Sequence, residues 1–221
     1  MSGDYDFEPV RGLPAHLPAG ETLLWQGHPD WRSLTVHAFH VRKVGVYFCL
    51  LAVWSVLSAW AEGSSLSAAL SSVLWVAPMA LTAVALLIML AWLAARTTVY
   101  SITSKRVVMR IGIALPITIN IPFRAVESVG LKRHANGTGD IPAMLSKGYR
   151  LAYLVLWPHV RPWHVRSPQP MLRSVPDVEH VAHLLAETLS ATAAQFPQPT
   201  PNEAHEPNRR PAPTAPVSVA A

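Results

Sequence analysis

The sequence predicts an α+β membrane protein: a two-helix transmembrane hairpin followed by a small β-barrel or sandwich capped by a C-terminal amphipathic helix. Three observations predict it. Two long stretches carry no charge, a series of short alternating segments follows them, and the last apolar residues before a Pro-rich tail recur at helical spacing.

Composition points the same way. The chain is 51% hydrophobic and 14% charged, with a mean hydropathy of +0.26, where a soluble domain carries about 25% charged residues. The deficit is concentrated. One stretch runs from Val44 to Ala61, and a second from Leu66 to Ala95, with its helix drawn over about 68–95. A helix needs about 20 apolar residues to cross a bilayer. The first stretch is near the minimum. The second is long enough to tilt or to begin in the interface, and Pro78 is placed to kink it. The polar segment that precedes Val44 argues against a cleaved signal peptide. The sole cysteine, Cys49, lies in the first stretch, so an intrachain disulfide is excluded and the residue reads as a small buried apolar group.

Orientation follows from the flanks. Arg42 and Lys43 precede the first span, and Arg96, Lys105 and Arg106 follow the second. The connection from Glu62 to Ser67 has neither Lys nor Arg. The positive-inside rule then places both termini in the cytoplasm, in an inner (cytoplasmic or intracytoplasmic) membrane crossed more than once.

Four regions are expected. Residues 1–43 form a cytoplasmic N-terminal segment, with Leu23, Leu24, Trp25 and Trp31 as anchors. Residues 44–95 are the hairpin, 96–194 a folded basic domain, and 195–221 a disordered tail too poor in apolar residues to pack. Within the folded part, Thr98–Thr103 reads as a strand. Val107, Met109 and Ile111 alternate with polar or outward positions, as do Ile117, Ile119 and Ile121, with Gly112 at a hairpin turn. Val126–Leu131, Leu151–Trp157 and Trp163–Arg166 read as further strands, and Asn136, Gly137 and Gly139 as a loop. From Asp177 to Ala194, Val178, Val181, Leu185 and Leu189 recur at helical spacing, with Ser174 as the expected N-cap.

The run Thr98–Val108, with Gly112, Ile121-Pro122-Phe123 and Val126–Val129, resembles the bacterial pleckstrin-homology-like domain. That resemblance implies a PH-like barrel after the hairpin. The wider chain is similar to photosynthetic complex assembly proteins of the PuhB type in purple phototrophic bacteria. The residues that carry this are Phe7–Pro14 (FEPVRGLP), Leu24–Gly27 (LWQG), Pro29–Trp31 (PDW), Ala38–Arg42 (AFHVR), Gly137–Pro142 (GTGDIP) and Leu156–Trp163 (LWPHVRPW). The resemblance implies an assembly factor that binds nascent reaction-centre and core antenna (light-harvesting) subunits. A general membrane adaptor, whose barrel binds anionic lipid headgroups, is the alternative.

The residues agree with a non-catalytic role. There is no phosphate loop, paired-Cys metal motif, GxGxxG or Gly-x-Ser-x-Gly. No cofactor and no metal is expected. His37 and His40 read as an interfacial polar pair rather than pigment ligands, and His180 and His183 as a solvated helix face. Between Arg96 and Arg173 twelve Lys/Arg face two acids, a net +10 against +5 for the whole chain. Beside an anionic leaflet each cation contributes about 1 kcal/mol, so Arg96, Lys105, Arg106 and Arg110 are the candidate membrane-surface residues. Nucleic acid is the competing partner of a basic domain, and the anchor argues against it. The positive-inside bias by itself is the other source of such charge. Trp157, His159, Arg161 and Trp163 are the candidate partner contacts, because Trp and Arg are enriched at hot spots and the flanking prolines limit the backbone. Trp157 could equally face the core. A homo-oligomer is left open.

Overall fold

The computed structural model describes residues 12, 13, 16–146, 148, 149 and 151–195. The tail expected to be disordered lies outside them, except for Gln195, the last residue of a helix.

Two long helices form the hairpin. Helix α1 (Trp31–His37) comes first, then α2 (Val41–Ala61), the short α3 (Leu66–Ser71) and α4 (Val73–Thr97). At 1.5 Å per residue, the 21 residues of α2 and 25 of α4 extend about 32 and 38 Å, against a hydrocarbon core of about 30 Å. Both helices are long and apolar enough to cross a membrane. The second apolar stretch is thus not one helix from its first residue: Ser65 caps α3 by accepting the Ala68 N–H, and a break at Ser72 separates α3 from α4. Pro78 lies inside α4. Ser55 and Ser72 join the two long helices through a 3.0 Å hydroxyl contact. No residue of α2 is buried. Cys49 is therefore exposed on an outer face, which corrects its reading as a buried group.

Helix α1 fixes the hairpin to the rest of the chain. Its N-cap is Asp30, whose carboxylate accepts the Ser33 N–H at 2.8 Å. Leu34 packs with Phe39 against Ala91, Ala94 and Ala95 of α4, where the small side chains allow close approach. His40 is left-handed (φ 53°) and breaks the chain between α1 and α2. His37 and His40 therefore do not share a helix face.

Two antiparallel sheets follow. The first contains β1 (Leu23–Gly27), β2 (Val99–Thr103), β3 (Arg106–Ile111) and β4 (Ile117–Pro122), in that order. In β3–β4 the expected faces pair, with Val107 opposite Ile121 and Met109 opposite Ile119. Gly112 begins the turn at φ 117°, where a Cβ would run into the Leu115 carbonyl. β1 comes from the N-terminal segment, which was expected to be only an anchor. It crosses the hairpin in sequence to pair with β2, Gly27 opposite Tyr100.

The second sheet centres on β7 (Gly139–Leu145), which pairs with β5 (Val126–Val129), β6 (Lys132–Arg133) and β8 (Met171–Val175). Helix α6 (Val178–Gln195) closes the core by burying Val178, Val181 and Leu185 against Ile141, Leu172 and Val175.

Three expectations fail here. Leu151–Trp157 is not a strand; it contains one short helical turn, α5 (Tyr153–Leu156). Every residue from 151 to 157 is apolar, so no alternation distinguishes strand from helix. Trp163–Arg166 is not a strand either, but part of a turn-rich connection. Ser174 does not cap α6. It ends within β8, where its N–H goes to the Asp140 carboxylate at 2.9 Å.

Candidate interaction surface

The four candidate membrane-surface cations do not form one patch. Arg96, in the last turn of α4, lies over the Trp92 ring at 5.2 Å. Arg106 is held by Glu21: Nε donates to Oε1 at 2.8 Å and an outer nitrogen to Oε2 at 3.1 Å. Thr103 also donates to that carboxylate, at 2.7 Å. Arg110 is only 8% exposed. Neither arginine is free to meet a lipid surface as expected. Lys105 is exposed, but it sits in the β2–β3 turn. That turn lies the full length of β2, about 17 Å, from the end of α4.

His159 corrects a second expectation. It is 1% exposed and belongs to the core. Its Nδ1 lies 2.6 Å from Tyr100 Oη and its Nε2 3.0 Å from Thr98 Oγ1. Tyr100 Oη accepts the Arg173 backbone N–H at 3.1 Å, and the Arg173 guanidinium donates to the Pro158 carbonyl at 3.0 Å. Burial, helped by the Arg173 charge, pushes the His159 pKa down to about 3. Burial also raises Tyr100, while burial lowers Arg173. Imidazole and phenol are therefore both neutral, and the cluster works as a structural fastener under the exit of α4.

A second polar junction ties α1 to the β6–β7 loop. The His37 and His134 rings stack at 3.6 Å, and Ser33 Oγ meets Thr138 Oγ1 at 2.7 Å. His134 Nε2 is 3.4 Å from Asp140. Burial first, then the His134 charge, lowers the pKa of His37. The GTGDIP run thus supplies both this junction, at Thr138, and the start of the central strand, from Gly139.

The other members of the tryptophan run are on the surface. Trp157 is 54% and Trp163 93% exposed. The Trp157 ring meets Phe39 edge-on at 5.6 Å, just before α2. Arg161 is exposed, and its side chain donates to Gln169 Oε1 at 3.0 Å. Val160 bridges Pro170 and the Arg161 N–H bonds the Gln169 carbonyl, so the segment is a narrow loop with Trp163 near its tip. Sequence reasoning missed Leu154, 86% exposed, with Val155 and Val165. It also missed Ile113, Leu115 and Ile117 around the β3–β4 turn, all exposed. A usable signal was present: no acid occurs between Asp140 and Asp177, and no charge of either sign between Arg110 and Arg124. Among the described residues no group of three or more His, Cys, Asp or Glu side chains is placed to hold a metal ion.

The family model for the bacterial PH domain matches residues 38–189, which includes the hairpin. A protein of Rhodobacter capsulatus, described as an uncharacterized 23.7 kDa protein in the puhA 5′ region, is 43% identical over 190 residues. The match covers 85% of this chain and 88% of that protein. No solved structure matches the chain. The hairpin, the two antiparallel sheets and the closing helix are accordingly those of a member of the bacterial PH domain family, to which this chain belongs.

Proposed function

We propose that this protein is a membrane-anchored assembly factor for the photosynthetic reaction centre and its core light-harvesting complex, with no catalytic step of its own. The observation that carries the reading is the relative in the puhA 5′ region, alike over 85% of this chain. It agrees with the resemblance to assembly proteins of the PuhB type. The geometry supports it in a general way. Helices α2 and α4 pack on each other and leave apolar outer faces, with Trp54, Trp60 and Trp75 exposed. In a bilayer such faces are free to pack against helices of nascent subunits. The PH-like domain, fastened through α1, then sits beside the cytoplasmic face of the same complex. The protein's place is the inner or intracytoplasmic membrane.

The test is a clean deletion strain. Assembled reaction centre and core antenna should fall while bacteriochlorophyll synthesis continues, and the protein should co-purify with reaction-centre or antenna subunits during induction of photosynthetic growth. Normal complex levels would sink the assembly role. The second reading, a lipid-binding adaptor serving no particular complex, is favoured by the exposed apolar and cationic loop around Trp163.

A further inference from the structure

The most exposed apolar residues of the β part stand at two tips, and strand register places one of them. Chain leaves α4 at Thr97 and enters β2 at Val99. Val99 lies opposite Arg110, so β3 runs back toward the helix and touches it. The turn beyond Ile111 therefore overshoots the point where α4 ends. At that turn stand Ile113, Leu115 and Ile117, with Leu115 fully outside the core and no charged residue among them. A turn in water ordinarily carries polar residues and Gly.

The second tip is placed by a packing contact. Trp157 meets Phe39, and Phe39 belongs to the cluster that Leu87 and Leu90 of α4 also join. Ala91, Ala94 and Ala95, the buried α4 members of that cluster, lie two to six residues, about 3–9 Å, inside the end of α4. The headgroup layer is about 5–8 Å deep on each side of the hydrocarbon. Trp157 is thus held at the level of that layer, beside the base of the hairpin. Leu154, Val155, Trp163 and Val165, all within eight residues of it in the chain, are exposed as well. Arg161 and Arg166 accompany them without a single acid from residue 141 to 176. Tryptophan with arginine is the composition of a membrane–water interface, and unopposed cations suit an anionic leaflet.

We infer that the β3–β4 turn at Ile113–Ile117 and the segment Leu154–Val165 insert into the interfacial layer of the leaflet next to the base of the hairpin, seating the PH-like domain on anionic phospholipid at two points besides its helical anchor. This rests on the hairpin spanning a bilayer, not on the assembly role. A protein subunit at the same tips is the rival occupant. Lipid is favoured because both tips fall at the level of the helix ends, whichever complex is nearby.

The test uses the purified full-length chain in vesicles, with Cys49→Ser and single cysteines carrying a nitroxide label. Labels go at Leu115→Cys and Trp163→Cys, with Leu57→Cys, one turn inside the end of α2, and His180→Cys on the exposed face of α6 as references. Vesicles are phosphatidylcholine alone or mixed with phosphatidylglycerol. The ratio of oxygen to water-soluble nickel-chelate collisions should be severalfold higher at 115 and 163 than at 180, and lower than at 57. Phosphatidylglycerol should raise it further at 163. Equal ratios at 115, 163 and 180 in both vesicles would overturn the proposal. So would labels shielded only in native membranes that contain the photosynthetic complex, which would identify a protein contact. A label at 57 that reads as water-exposed would remove the anchor and the proposal with it. None of these readings depends on the deletion strain, so the two ideas fail separately.

Discussion

Tyr100 and His159 share a 2.6 Å hydrogen bond whose direction is set by their neighbours. Tyr100 Oη already accepts the Arg173 N–H, so its own proton goes to His159 Nδ1. The imidazole proton then sits on Nε2 and is donated to Thr98 Oγ1. This tautomer leaves no room for a second ring proton.

Acid should therefore loosen the fold through His159. Its folded pKa of about 3 lies below the unfolded value of 6.5, so the unfolded chain binds the extra proton between them. The contribution is complete above pH 6.5 and is lost as pH falls toward 3, at up to about 1.4 kcal/mol per pH unit. His37, also lowered, adds slope of the same sign. Thermal melts in detergent should show Tm falling with acid. His159→Gln should be less stable at neutral pH by about 1–3 kcal/mol and should show a shallower slope. A slope identical to that of the parent would rule this group out.

Glu21 should matter more than its place before β1 suggests. Its carboxylate is buried and receives Arg106 and Thr103 from the β2–β3 hairpin. Glu21→Ala leaves those donors without it and should cost about 1–3 kcal/mol, read as a lower Tm. Glu21→Gln, which keeps an acceptor, should cost less. Equal Tm values for all three proteins would show that the pair is only a surface contact.

Gly139 has no room for a methyl group. A Cβ there would lie 2.5 Å from the Lys132 carbonyl and 2.8 Å from Val178 Cγ1. Gly139→Ala should destabilise by about 1–3 kcal/mol through overpacking. Gly137→Ala is the comparison. A Cβ at Gly137 meets nothing, but its φ of 77° strains any side chain, so its loss should be backbone strain alone. A Gly139→Ala protein melting with the parent would mean that β6 and α6 give way freely.

Topology is open to reporter fusions. Fusions at the N-terminus and after Ala194 should report cytoplasm, and one near Ser64 periplasm. The Lys/Arg asymmetry supports this, and the β1–β2 pairing adds to it. Strands on either side of the hairpin can pair only if the chain between them crosses the bilayer an even number of times. A periplasmic signal after Ala194 would overturn the orientation.

The sequence made some of this legible and hid the rest for physical reasons. Strand β4 and helix α6 bury one face each, so period two and period 3.6 were written in Ile119 and Ile121, and in Val178, Val181 and Leu185; β2 and β3 are buried on both faces and were legible from their β-branched, apolar runs. β7 was hidden because Gly139, Asp140 and Pro142 are turn formers. Its place is set by pairing on both sides, which local pattern does not encode. β1 was hidden because its partner lies beyond the hairpin. In the tryptophan run, exposure of Trp157 and Trp163 and burial of His159 between them follow from one long-range bond to Tyr100, invisible in residue types.

The pairing of β1 with β2 also sets an order of events during synthesis. β1 emerges early, yet its partner at Val99–Thr103 comes only after both long helices have been made. Until then Leu23–Gly27 is a nascent strand with an open edge, held by nothing in its own neighbourhood. The first sheet cannot be completed by a chain whose second helix stalls in the translocon, because β2 would not be delivered to the compartment where β1 waits. For a hairpin that spans a bilayer, domain closure would thus be a readout of finished insertion, and a half-inserted chain would present an unpaired edge to chaperones and proteases.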